Sequence, residues 1–254
     1  MSHLHIPDGI LPLPMIAAGF ALTALLIWLA SRRLSRSEGA RVAPRIATLA
    51  ALMLVAMSLP LPVLGYHVNL TVLTGIIAGP AAGFVAAFIT NLILALTAHG
   101  GITVLGLNAL IAGIEVSLGW FLWSWFRRVL KRPSAAAALA VIVTLAVSTT
   151  AMFAVVASSR ISPELFLHRH EHHEVAQESE PYAESAVDHD RDHEHDHDHD
   201  HETENAVPLR TFAAVVFSTA AIGWVIEAVI VGALVGFIAK TRPDMLSGGS
   251  FRGV

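Results

Sequence analysis

Cysteine is absent from this 254-residue chain, which excludes disulfides, thiolate metal sites and iron–sulfur ligation. Any metal must therefore be held by nitrogen and oxygen. Charge is scarce as well. Only 14% of residues are charged against 54% hydrophobic, and the mean hydropathy is +0.62. A soluble domain of this size cannot hide so much apolar surface. Lysine occurs only at Lys131 and Lys240, and no Gly-x-x-x-x-Gly-Lys-Ser/Thr run is present to cradle ATP. If transport is ATP-driven, another polypeptide hydrolyses the nucleotide. The first apolar stretch lacks a basic lead-in and is interrupted by Pro7, Asp8 and Gly9, so it does not read as a cleaved signal peptide.

What remains is long apolar runs, at about 11–30, 45–64, 68–79, 81–98, 103–126, 135–158 and 208–239. A span needs roughly 20 residues, and lipid tolerates only helices or closed barrels. Continuous rather than alternating hydrophobicity selects helices. The expected fold is all-α: a polytopic membrane helical bundle of about seven transmembrane segments. Residues 1–158 and 208–254 form a single transmembrane domain, with 159–207 as an inserted loop. The stretch 66–98 is one long helix or two shorter ones broken at Gly79-Pro80, because proline removes an amide donor and clashes with the preceding turn.

Arginine placement decides between these options. Arg32, Arg33, Arg36, Arg41 and Arg45 follow the first span; Arg127, Arg128, Lys131 and Arg132 follow the fifth; Lys240, Arg242 and Arg252 follow the last. Putting all three clusters in the cytoplasm requires 66–98 to cross twice or to form a re-entrant hairpin. The N-terminus is then outside and the C-terminus inside. His3, His5, His67, His99 and the loop 159–207 all fall on the outer side.

That loop is predicted to be largely disordered when metal-free. Between 168 and 204 it holds ten of the 14 histidines and 14 acidic residues, with His193, His195, His197, His199 and His201 alternating with acids. Such a segment collects divalent ions through many weak imidazole sites.

The N-terminal segment has sharper chemistry. Met1-Ser2-His3 offers an amine, two amides and an imidazole, a planar nitrogen set that suits nickel or copper. If Met1 is removed, Ser2 supplies the amine and His3 the first amide and imidazole. His5 adds another donor. His67 follows Pro60 and Pro62, and His99 closes the fourth run. Asn69, Asn91 and Asn108 can orient such ligands, although Asn91 reads better as a helix–helix hydrogen bonder. Glu115 and Glu227 sit mid-span. They are proton relays or ion acceptors, or, as the reading favours, protonated carboxyls hydrogen-bonded between helices.

His5-Ile-Pro-Asp-Gly9-Ile-Leu-Pro resembles the opening of the CbiM/NikM family, the cobalt/nickel substrate-capture subunits of energy-coupling-factor (ECF) transporters. Leu73-Thr74-Gly75, Gly79-Pro80, His99-Gly100-Gly101-Ile-Thr-Val-Leu-Gly106-Leu-Asn108 and Trp224-Val-Ile-Glu-Ala-Val-Ile-Val-Gly232 extend the likeness. The resemblance implies a seven-helix fold with the N-terminal strand plugged into the bundle. It implies a square-planar site for Ni2+ or Co2+ as transported substrate. His67 matches the family's loop histidine and His5, by its flanking motif, the second-position histidine. Four residues precede His5, so either His3 takes that role with the terminus re-threaded or His5 binds by side chain and amide. His99 is carried over as a residue ordering the metal loop. The implied partners are a transmembrane coupling subunit, two cytoplasmic ATPases and a small membrane accessory subunit. Small-residue faces at Ala17, Ala21 and Ala24 and at Ala47 and Ala51 form either the coupling interface or ordinary internal packing. The setting is the cell inner membrane and its lipid bilayer, with no nucleic acid and no enzymatic activity. The rival reading is a stand-alone proton-coupled zinc or nickel carrier using Glu115 and Glu227.

Overall fold

The computed structural model describes residues 8, 11–37, 42–58, 60–61, 66–97, 101–158 and 209–247. The His-rich loop, and with it the expectation of disorder, lies outside them, as do Met1, Ser2, His3, His5 and His99. The described residues form helices α1 (Leu13–Ser37), α2 (Val42–Ser58), α3 (Thr71–Leu96), α4 (Leu105–Val129), α5 (Pro133–Ser158), α6 (Leu209–Thr241) and α7 (Pro243–Ser247). Two short antiparallel strands, β1 (Pro60–Leu61) and β2 (Tyr66–His67), pair Pro60 with His67 and Leu61 with Tyr66. The third apolar run was expected to begin beyond a second span ending near 64. Instead α2 stops at Ser58, because Pro60 cannot donate to a helical ladder and the chain turns into the strand pair.

Among the described residues, five helices are long and apolar enough to cross a membrane, and α2 is a shorter apolar one. By length alone, α3 is a single span. It is not straight: Gly79 has φ 76° and ψ 174°, and Pro80 follows. Only glycine adopts that backbone without strain, and proline suits the first position of a new helix. A Cβ on Gly83 would lie 3.5 Å from the Cα of Gly75 and 3.5 Å from the Thr74 carbonyl oxygen. Eight residues along a straight helix span about 12 Å, so the two arms, 71–78 and 80–96, fold back against each other. The break expected at Gly79-Pro80 is therefore a helical hairpin.

Arg45 of α2 donates to the Ile77 carbonyl at the end of the first arm. The last carbonyls of a helix have no intrahelical partner, and a cation there also meets the negative end of the helix dipole. The hairpin tip thus lies at the same end of the bundle as the first arginine cluster.

The hairpin packs most extensively on α4; α5 packs on α4 and α6, α2 on α3, and α1 against α4 and α3. Glycines allow the closest approaches. A Cβ on Gly106 would sit 2.6 Å from the Phe20 amide, and Thr23 donates to the Gly106 carbonyl at 2.7 Å. The main core runs through α2 to α6, around Met53, Val72, Leu73, Val116, Leu145 and Val231. A smaller cluster of Leu11, Val104 and Met152 closes the opposite end.

Candidate functional site

Among the described residues, two polar constructions stand out. The first lies within the helices. Glu115 of α4 is fully buried, with 0% of its surface exposed. Its Oε2 accepts from Asn69 Nδ2 at 2.7 Å and Thr71 Oγ1 at 2.6 Å, and its Oε1 accepts from Ser148 Oγ of α5 at 2.5 Å. Glu227 of α6, also at 0%, accepts at Oε2 from the Asn69 backbone amide at 3.3 Å. Asn69 Oδ1 accepts from the Thr71 amide at 3.0 Å. The short arm of the hairpin therefore begins inside the bundle, and its N-terminal end faces the side chains of Glu115 and Glu227. Low dielectric strengthens every bond in such a network and makes any unmade one costly.

His67, half-buried at the end of β2, stands two residues before Asn69. It is the one histidine among the described residues, where no three His, Asp or Glu side chains converge as a metal cage.

The second construction joins distant parts of the chain. Asp8 accepts from the Ile102 amide at 3.1 Å, the Thr103 amide at 2.8 Å and the Thr103 hydroxyl at 2.5 Å. Gly101 makes room, because a Cβ there would lie 2.6 Å from Asp8 Oδ1 and 2.8 Å from the Asp8 amide nitrogen. Partial burial pushes the Asp8 carboxyl up, but the hydroxyl of Thr103 and the amides of Thr103, Ile102 and Val104 together outweigh it. The net effect is a carboxyl held below its ordinary value. A group so depressed contributes stability above its unfolded pKa and loses it as pH falls through the folded one. In hydrogen exchange, the Ile102 and Thr103 amides are expected to be protected near neutral pH, to lose that protection in acid, and to lose it at all pH values in Asp8→Ala.

Of the residues expected to matter, Asn69, Glu115 and Glu227 come together; both carboxyls are hydrogen-bonded within the bundle, as the sequence favoured. Asn91 differs: its Nδ2 donates to the Ala87 carbonyl of its own helix at 2.9 Å. The carbonyl one turn back along α3 lies within reach of the Asn91 side chain and takes its donor. Asn108 is buried at the start of α4. Four participants went unrecognised: Asp8, Thr103, Thr71 and Ser148. The signal for Ser148 was available, since a mid-span glutamate needs donors and few polar side chains interrupt the run 135–158.

Comparison with known proteins accords with this architecture. The family model described as "Cobalt uptake substrate-specific transmembrane region", CbiM, matches residues 5–245. The "Cobalt transport protein CbiM" of Geobacter sulfurreducens is 35% identical over 134 residues, covering 49% of this chain and 38% of that protein; the match thus spans well under half of the relative's length. Two crystal structures share the fold. One, of a transition metal transporter, has a TM-score of 0.69 at 20% identity, covering 98% of this chain and all of the other. A truncated transition metal transporter scores 0.67 at 19% identity, over 93% of this chain and 99% of the other. The chain, a multi-pass helical membrane protein, belongs to the CbiM family of cobalt uptake transmembrane proteins.

Proposed function

We propose that this chain is the substrate-capture subunit of an ECF-type importer for Ni2+ or Co2+, and that His67 and a histidine of the N-terminal segment, His5 or His3, hold the ion. The observation that carries the reading is the Asp8 clasp. It ties the N-terminal segment to the turn that follows His99. His5 is three residues from Asp8, and His99 is three from Ile102; three residues reach at most about 11 Å. The amine and amide donors at Met1 and Ser2 belong to the same segment, and His99 acts as an orienting neighbour. A nitrogen-rich set suits nickel, while the family description names cobalt. The loop 159–207 gathers ions ahead of capture.

ATP hydrolysis is assigned to separate cytoplasmic subunits, coupled through a transmembrane partner and joined by a small membrane accessory subunit. Ala17, Ala21, Ala24, Ala47 and Ala51 are all exposed on α1 and α2 rather than packed internally. Small residues on an open helix face let a second helix approach closely in lipid. The arginine clusters and the hairpin tip are assigned to the cytoplasm, with the N-terminal segment outside in the inner membrane.

Calorimetry on the purified full chain tests the site. His67→Ala is expected to weaken nickel and cobalt binding by more than the roughly 10–100-fold typical of losing an outer partner, and one of His3→Ala and His5→Ala should match it. Unchanged affinity in His67→Ala would reject the assignment. Reconstituted alone, the protein is expected to give no sustained metal flux; flux without any ATPase would instead support a stand-alone carrier.

A further inference from the structure

We propose that Asn69, together with the two carboxylates it bridges, positions the His67 loop for metal binding. This rests on the reading of His67 as a ligand. Asn69 is fully buried, and its backbone amide, side-chain amide and side-chain oxygen each meet a different anchor. Its backbone amide donates to Glu227 on α6, its side-chain amide donates to Glu115 on α4, and its carbonyl oxygen Oδ1 receives the Thr71 amide at the start of α3. Glu115 is in turn braced from α5 by Ser148 and from α3 by Thr71.

Three helices and the hairpin therefore fix the backbone two residues after His67. Two residues reach at most about 7 Å, so the His67 backbone has little freedom once Asn69 is held. The strand pairing of His67 with Pro60 fixes the other side of the same loop. A loop backbone held from both sides keeps its geometry in the metal-free state, and preorganised ligands bind more tightly because less ordering remains to be done. The polar cluster is then a strut. It lends rigidity to a ligand that the carboxylates act on only through the loop.

The test measures nickel affinity of the full chain by calorimetry and metal-free melting in parallel. Asn69→Ala and Glu115→Gln, the latter keeping the volume and one acceptor, are each made alone and combined with His67→Ala. Ser148→Ala is the milder variant, because it leaves every Asn69 bond in place. Affinity is expected to fall about 10–100-fold in Asn69→Ala and Glu115→Gln, and by less in Ser148→Ala, with the metal-free melting midpoint of Ser148→Ala close to wild type. In the His67→Ala background the same changes are expected to shift the remaining affinity by less than about twofold, because coupled residues are not additive. A strut with a merely structural role would lower melting without that dependence on His67. Equal losses with and without His67, or full affinity in all three variants, would overturn the positioning role. Unchanged affinity in His67→Ala alone would remove the ligand reading beneath it, and the strut with it.

Discussion

Gly75→Val is expected to leave little folded protein in the membrane. A Cβ at Gly75 would press into the Val116 carbonyl, with the Val116 carbonyl carbon at 3.0 Å and its Cα at 3.2 Å. The obstruction is backbone, so relief requires the hairpin to move off α4. Neighbouring contacts oppose that movement. A Cβ at Gly83 would meet Val116 Cγ1 at 2.6 Å, one at Gly113 the Phe84 ring at 2.5 Å, and one at Gly119 Val72 Cγ1 at 2.8 Å. Overpacking costs about 1–3 kcal/mol and occasionally more, and the two extra methyls of valine place this site at the upper end. Gly236→Ala is the control, since its Cβ would meet only the Ser134 side chain, with Cβ at 3.2 Å, a tight contact that a shift of a few tenths of an ångström relieves. Membrane yield and melting should rank Gly236→Ala near wild type and Gly75→Val far below. A reversed order would show that the α3–α4 interface is not as tight as described.

Glu115→Ala should be comparably damaging for a different reason. The substitution removes the acceptor for Asn69 Nδ2, Thr71 Oγ1 and Ser148 Oγ at one stroke. Each buried donor left without a partner costs about 1–3 kcal/mol, although the two hydroxyls can rotate toward other acceptors, whereas the amide of Asn69 cannot. A net loss of roughly 3–5 kcal/mol follows from the three donors together. Glu115→Gln should recover much of it. Chemical denaturation in detergent, comparing Ala and Gln, measures the difference; equal stabilities for the two would show that the three donors do not depend on the carboxylate.

The hairpin was legible because its determinants are local or global, never intermediate. Gly79-Pro80 breaks a helix through its own backbone chemistry, and the arginine clusters require an even number of crossings between them. The end of α2 was misplaced by six residues, since an apolar run continues through Pro60, Leu61 and Pro62 while the helical ladder cannot. Exposure of Ala17, Ala21, Ala24, Ala47 and Ala51 could not be read at all. Alanine is as suitable for a buried seam as for an open face, and only the position of neighbouring helices separates them.

Composition and pattern alone settled that this chain is a membrane-embedded helical bundle without thiols. They also placed its helices and singled out Asn69, Glu115 and Glu227, because apolar length, proline and intramembrane charge carry their energetic consequences wherever they occur. Tertiary structure alone decided that Asp8 reaches Thr103, 95 residues away, and that Asn69 meets both Glu115, 46 residues on, and Glu227, 158 residues on. A hydrogen bond depends on where two groups meet in space, and nothing along the backbone between them records that meeting.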